Sequence, residues 1–215
     1  HRRGDVTNPN DAGSWVNALN AGTISRQAVA NGIARSAEGL GFVVDGLYAK
    51  LLGRASDATG RAAFVSFLQQ GGTVEQAIVS MVTSPEYVAT NGATDTMFVQ
   101  SLYNHLLGRT GSSGEVAGWV ALVPFIGRAG VANGFLASME YRTIEIRELY
   151  GAPLAPVTSV ASIFPNLLHR STPPSAAEVS FWLNSGQDIL TIEAAFAGSP
   201  EYFNLASTLT GGVFV

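Results

Sequence analysis

Apolar residues recur every three or four positions through Phe42, Val43, Leu47 and Leu51, and again through Phe98, Val99, Leu102 and Leu106. That spacing gathers them on one stripe of an amphipathic helix. The two predicted helices end in the same words, Leu47-Tyr48-Ala49-Lys50-Leu51-Leu52-Gly53-Arg54 and Leu102-Tyr103-Asn104-His105-Leu106-Leu107-Gly108-Arg109. A third version reads Ile163-Phe164-Pro165-Asn166-Leu167-Leu168-His169-Arg170, and His1-Arg2 match the last two letters of a fourth. Gly53 and Gly108 stand where a left-handed residue closes a helix with least strain. His1 and His169 hold the same place, and histidine is among the few other residues that tolerate positive φ. An interior proline costs about 3 kcal/mol, so the helix carrying Leu167 and Leu168 is expected to begin near Ser162, with Pro165 in its first turn.

Aligned on Gly53-Arg54, the copies share three further columns. Asn8, Asp57, Ser112 and Ser175 are N-cap residues seven positions before Trp15, Phe64, Trp119 and Trp182. Glu115 and Glu178 complete capping boxes with their serines, and the four rings read as core anchors. These helices should end near Gly22, Gly71-Gly72 and Gly186. A next helix opens at Ser25, Thr73, Gly127 or Asp188, with apolar residues on one face. The last column is Ser36-Ala37-Glu38, Ser84-Pro85-Glu86, Ser138-Met139-Glu140 and Ser199-Pro200-Glu201. In each, serine caps, a proline or small or apolar residue takes the first turn, and glutamate meets the positive helix end. Tyr87, Tyr141 and Tyr202 follow; the first copy has Gly39 instead.

The expected fold is all-α: tandem repeats of three to four short helices, forming a helical array or two packed helical bundles. The boundaries read as a partial repeat one (1–39), repeat two (40–92), repeat three (93–150), a Pro-rich linker (151–158), and repeat four with a C-terminal tail (159–215).

Composition narrows the function classes. Only 13% of residues are charged and the net charge is −4. Arg and Lys are scattered singly, against the basic face that nucleic acid binding needs. There is no cysteine, so no disulfide framework is available. The apolar run Val116–Ile126 falls short of a spanning helix and contains Pro124, so a soluble fragment is expected. No metal, nucleotide or hydrolase motif is present. The acid pair Glu145 and Glu148 and the exposed helix position His105 read as solvated groups, and no cofactor is implied.

Two columns always carry charge of opposite sign: Arg2, Arg54, Arg109 and Arg170, and Glu38, Glu86, Glu140 and Glu201. They read either as bidentate Arg–Glu bridges fastening the end of one helix to the start of another, or as solvated charges near helix ends. Taken together, Leu-Tyr-x-x-Leu-Leu-Gly-Arg, a capped tryptophan and Ser-Pro-Glu-Tyr resemble a bacterial repeat family catalogued as a domain of unknown function, similar to the linker-polypeptide domains of phycobilisomes. The resemblance implies an extracellular or cell-surface location and a non-enzymatic structural or interaction role in a large exported protein. Its partners would be other modules of that protein or surface partners. The alternative is a glycan-binding module. Neither nucleic acid binding nor membrane insertion is expected.

Overall fold

The computed structural model describes residues 10–151 and 167–209, and within them the chain is helical, without a strand. The first unit holds α1 (Asn10–Asn20) and α2 (Arg26–Ala34). The second runs through α3 (Ala37–Leu47), a π-helical turn at Tyr48–Leu52, α4 (Ala58–Gln69), α5 (Val74–Val82) and α6 (Pro85–Asn91). The third comprises α7 (Asp95–Leu107), α8 (Ser113–Ala137) and α9 (Met139–Tyr150). The fourth adds α10 (Ala176–Leu183), α11 (Ile189–Ala197) and α12 (Pro200–Leu209).

Local chemistry sets these boundaries. Ser25, Ser36, Asp57, Thr73, Ser84, Ser112, Ser138, Ser175 and Asp188 each accept a hydrogen bond from the backbone N–H three residues on. Such a cap contributes about 1 kcal/mol. Full capping boxes close at Thr73/Gln76, Ser112/Glu115 and Ser175/Glu178. Gly53 and Gly108 terminate their helices at φ 66° and 65°. Asn8 lies outside the described residues. Gly127 has no side chain to cap with, but its φ of 67° and ψ of 171° break α8 in two where the sequence places a helix start. By length and composition α8 is of membrane-spanning size, yet this break divides it, and it lies against both α7 and α5.

The Ser-x-Glu helix of unit one and the long helix of unit two are one rod, α3, and units three and four share α9 in the same way. Only between units two and three do they separate, as α6 and α7, around Gly92. The long helix of each later unit packs on the capped helix after it: α3 on α4, α7 on α8, α9 on α10. Contacts between units follow a pseudo-twofold pattern, with α5 against α8 and α2 against α11. The first unit therefore meets the last. At that contact Arg35 donates to Thr191 Oγ1 at 2.8 Å. One continuous core, from Leu40 and Leu47 through Phe98 and Phe135 to Ile192 and Phe196, runs through units two, three and four.

Two of the expected helices need correcting. Phe42 is 56% exposed and its counterpart Met97 48%; the buried stripe runs instead through Leu40, Val43, Val44 and Leu47 in α3 and through Phe98, Val99 and Leu102 in α7. Leu167 and Leu168 are buried but not helical. Their amides bond to Leu149 O, and Arg170 N bonds to Tyr150 O, as Arg109 N bonds to Tyr103 O. The end of α9 thus stands where Ile163-Phe164 were expected, and residues 152–166, which contain most of the expected linker, lie outside the described residues. Gly151, at φ 74°, closes α9, and His169 is the described non-glycine residue with positive φ, at 47°.

The ring column is half-buried rather than enclosed: Phe64, Trp119 and Trp182 lie at the edge of the core, and Trp15 lies over α2. Trp119 and Trp182 tilt against Phe135 and Phe196 with centroids 5.1 Å apart. The rings of Trp15 and Trp119 lie over Gly32 and Gly134, where a Cβ would fall 2.9 and 2.5 Å from the indole. Because part of the ring already faces water, Trp119→Ala should destabilise by about 2–3 kcal/mol, below the 3–5 usual for a fully buried ring. Urea unfolding of the purified protein measures this; a loss under about 1 kcal/mol would place the ring outside the core.

Candidate functional site

The recurring charges converge on one arrangement, built three times. Arg54 Nε and Nη2 donate to Glu86 Oε1 and Oε2 at 2.5 and 2.8 Å. Arg109 grips Glu140 in the same way at 2.6 and 3.0 Å, and Arg170 grips Glu201 at 2.5 and 2.6 Å. Arg54 and Arg109 follow the positive-φ glycines that end a long helix. Arg170 follows positive-φ His169 in a non-helical segment bonded to the end of α9, and each glutamate sits in the first turn of the Ser-x-Glu helix. Arg2 lies outside the described residues; Glu38 holds the equivalent place in the first turn of α3.

Two further partners complete each joint, and the sequence pattern does not assign either of them to the arginine. The remaining guanidinium nitrogens reach a second carboxylate at the start of the following helix. From Nη1 this is Asp57 at 3.5 Å, Glu115 at 3.2 Å or Glu178 at 2.6 Å. Beneath the guanidinium lies a tyrosine ring: Tyr48, Tyr103 and Tyr150, at 4.9, 4.7 and 4.5 Å, within cation–π range. The signals were present, since Tyr48 and Tyr103 belong to the repeated motif and Glu115 and Glu178 to capping boxes. Tyr150 could not be found by alignment, because residues 152–166 separate it from Arg170. Trp182 adds a hydrogen bond from its indole to the Tyr150 hydroxyl at 3.1 Å.

Asp57, Glu86, Glu115 and Glu178 are shifted downward in the joints. Arg109 holds the Glu115 carboxyl at about 2, helped by the Ser112 side chain and amide. Arg170 does the same for Glu178, also at about 2. Arg54 lowers Glu86, and the Gly60 amide is the first cause of the lowered Asp57. The arginines are between a quarter and two-fifths exposed, so solvent screens much of this interaction.

A second cluster lies inside the core, where the sequence suggested solvated groups. His105 is not an exposed position: its Nδ1 is 2.8 Å from the Tyr87 hydroxyl. That hydroxyl donates to Ser101 Oγ, which donates to Phe98 O. Tyr87 has one proton to give, so His105 must supply the other, and the histidine is the Nδ1–H tautomer. Burial, and then the neighbouring Lys50 ammonium, hold His105 below its usual range. Lys50 occupies the same repeat position as His105. Its Nζ lies 3.9 Å from Glu145, and the two side chains are 8% and 1% exposed. Glu145 is therefore a core residue, not half of a solvated acid pair. A charge buried this deeply persists only beside a partner.

Among the described residues no three His, Cys, Asp or Glu side chains group as metal ligands would. In the joint itself, four Arg54 donor contacts are made within the chain, to Glu86, Asp57 and Ala55 O. The arrangement fastens three helix ends; it presents no nucleophile poised beside a base.

Two outcomes follow from the joint. In a double-mutant cycle, Arg109→Met with Glu140→Gln should show a coupling of about 0.5–1 kcal/mol, reduced by added salt. Because Glu115 and Glu178 titrate lower folded than unfolded, their contribution is present above the unfolded carboxylate range and is lost as pH falls toward their folded values. Melting temperature should therefore drop between about pH 4.5 and 2, and Glu115→Gln/Glu178→Gln should flatten that drop; an unchanged slope would contradict the assignment.

Among curated proteins, none matches the chain. Residues 41–91 and 78–145, two overlapping spans that each contain one complete Arg–Glu pair, are similar to a family described as a domain of unknown function, DUF4214.

Proposed function

We propose that this chain is a non-enzymatic structural and protein-interaction module of a large exported bacterial surface protein, one that spaces or holds neighbouring modules. One observation carries the reading: the residues that recur from unit to unit are consumed in fastening helices to one another. Arg54, Arg109 and Arg170 each bind two carboxylates and cover a tyrosine. What is repeated is a joint, and repeated joints serve to build a scaffold. The low charge content and the resemblance to surface-protein repeats and phycobilisome linkers support the same reading.

The test is twofold. On intact source cells the parent protein should be cut by added protease, while a cytoplasmic marker stays whole. The purified module should bind no sugar saturably on a glycan array. Protection from protease would overturn the surface location. Saturable binding to one sugar class, lost in Phe125→Ala or Phe181→Ala, would replace the scaffold with a glycan-binding module; both rings are largely exposed.

A further inference from the structure

We propose that the protein holds one internal water molecule between Tyr141, Glu75 and Glu145, at the place where units two, three and four meet. The site is a cavity of about 10 Å³ lined by Glu75 of α5, Tyr141, Arg142 and Glu145 of α9, and Ile189 and Ile192 of α11. A space of roughly 10–15 Å³ is the least that admits one water, and a water is retained only where two to four polar groups meet it.

The polar groups are there. Tyr141 is 2% exposed; its hydroxyl lies near the Glu145 carboxylate, but neither it nor Glu75 Oε2 has a partner at good hydrogen-bond geometry among the described residues, although both atoms are shielded from solvent. Burial, with the Glu145 and Glu75 charges behind it, raises the Tyr141 hydroxyl well above its ordinary value. It remains a donor at neutral pH. A water accepting from that hydroxyl and donating to Glu75 Oε2 satisfies both atoms, and its second proton faces the Glu145 side of the cavity. Left unmet, either group would lose the full desolvation penalty of a buried polar atom.

The repeat supplies an independent argument. Tyr87 is the same residue one unit earlier, and its hydroxyl has two partners, Ser101 Oγ at 2.9 Å and His105 Nδ1 at 2.8 Å. Both stand on α7, which is separate from the helix carrying Tyr87. In unit three that helix and the next long helix are one rod, α9, so no equivalent helix lies across from Tyr141 to offer the two groups. The water stands in for them. A cation fits less well, because Lys50 beside Glu145 and Arg142 on the cavity wall already balance the two carboxylates.

The site joins helices from units that are not neighbours in the chain, since the Ile189 amide donates to the other Glu75 oxygen at 3.4 Å. A high-resolution crystal structure of the intact protein should show a solvent peak within hydrogen-bond distance of Tyr141 Oη and Glu75 Oε2. Tyr141→Phe, which keeps the ring, should lower the melting temperature by about 2–4 °C. Adding Glu75→Leu should recover part of that loss, because an apolar pair needs no water. A dry cavity, or a Tyr141→Phe protein that melts with the unmodified one, would overturn the proposal. So would a peak with contacts shorter than hydrogen bonds, as a bound cation gives, or a double variant that recovers nothing.

Discussion

The structure depends on a guanidinium held between two carboxylates over an aromatic face. Arginine suits that position because its planar fork presents parallel N–H groups to one carboxylate while its face remains available for a ring. The fork ties the end of a long helix to two helix starts, where backbone amides already favour negative charge. Each glutamate thus serves its own helix and the joint together. That economy explains how a chain with so few charged residues repeats these in units two, three and four.

Around this joint the chain varies the junction and keeps the contact. Units one and two share α3, units three and four share α9, while α6 and α7 are separate helices divided near Gly92. Fusing two helices into one rod removes a turn and fixes the angle between units. Splitting them permits a different crossing and places a tyrosine against a neighbouring helix. The environments of Tyr87 and Tyr141 differ for this reason, although their local sequence is the same plan. The fourth unit shows how far the joint tolerates change: Tyr150 and Arg170 reproduce the ring contact with a long segment between them.

A polar seam crosses the core beside these junctions. Tyr87, Ser101 and His105 form a closed chain of hydrogen bonds, and Lys50 pairs with Glu145 close by. Lys50 and His105 come from one repeat position, so the seam is where equivalent residues of adjacent units approach. Buried polar groups of this kind stabilise only the arrangement that satisfies them. They oppose slippage between units whose apolar surfaces are nearly interchangeable.

The sequence by itself determined the helices and their ends. Caps, capping boxes and terminal glycines act within four residues of the chain, so Ser112 with Glu115 or Gly108 after Leu107 can be read without knowing what lies nearby. It also set the opposite signs of the Arg and Glu columns, because repetition exposes any residue that a local role demands. Only the tertiary structure decided the rest. Which carboxylate completes each joint, that Tyr150 substitutes across an interruption, that Phe42 faces water and Glu145 does not, and that α2 meets α11 all depend on contacts between residues far apart in the chain. Periodicity says that a helix has an apolar face; it cannot say which neighbour covers that face, or which polar residue will be enclosed when it does.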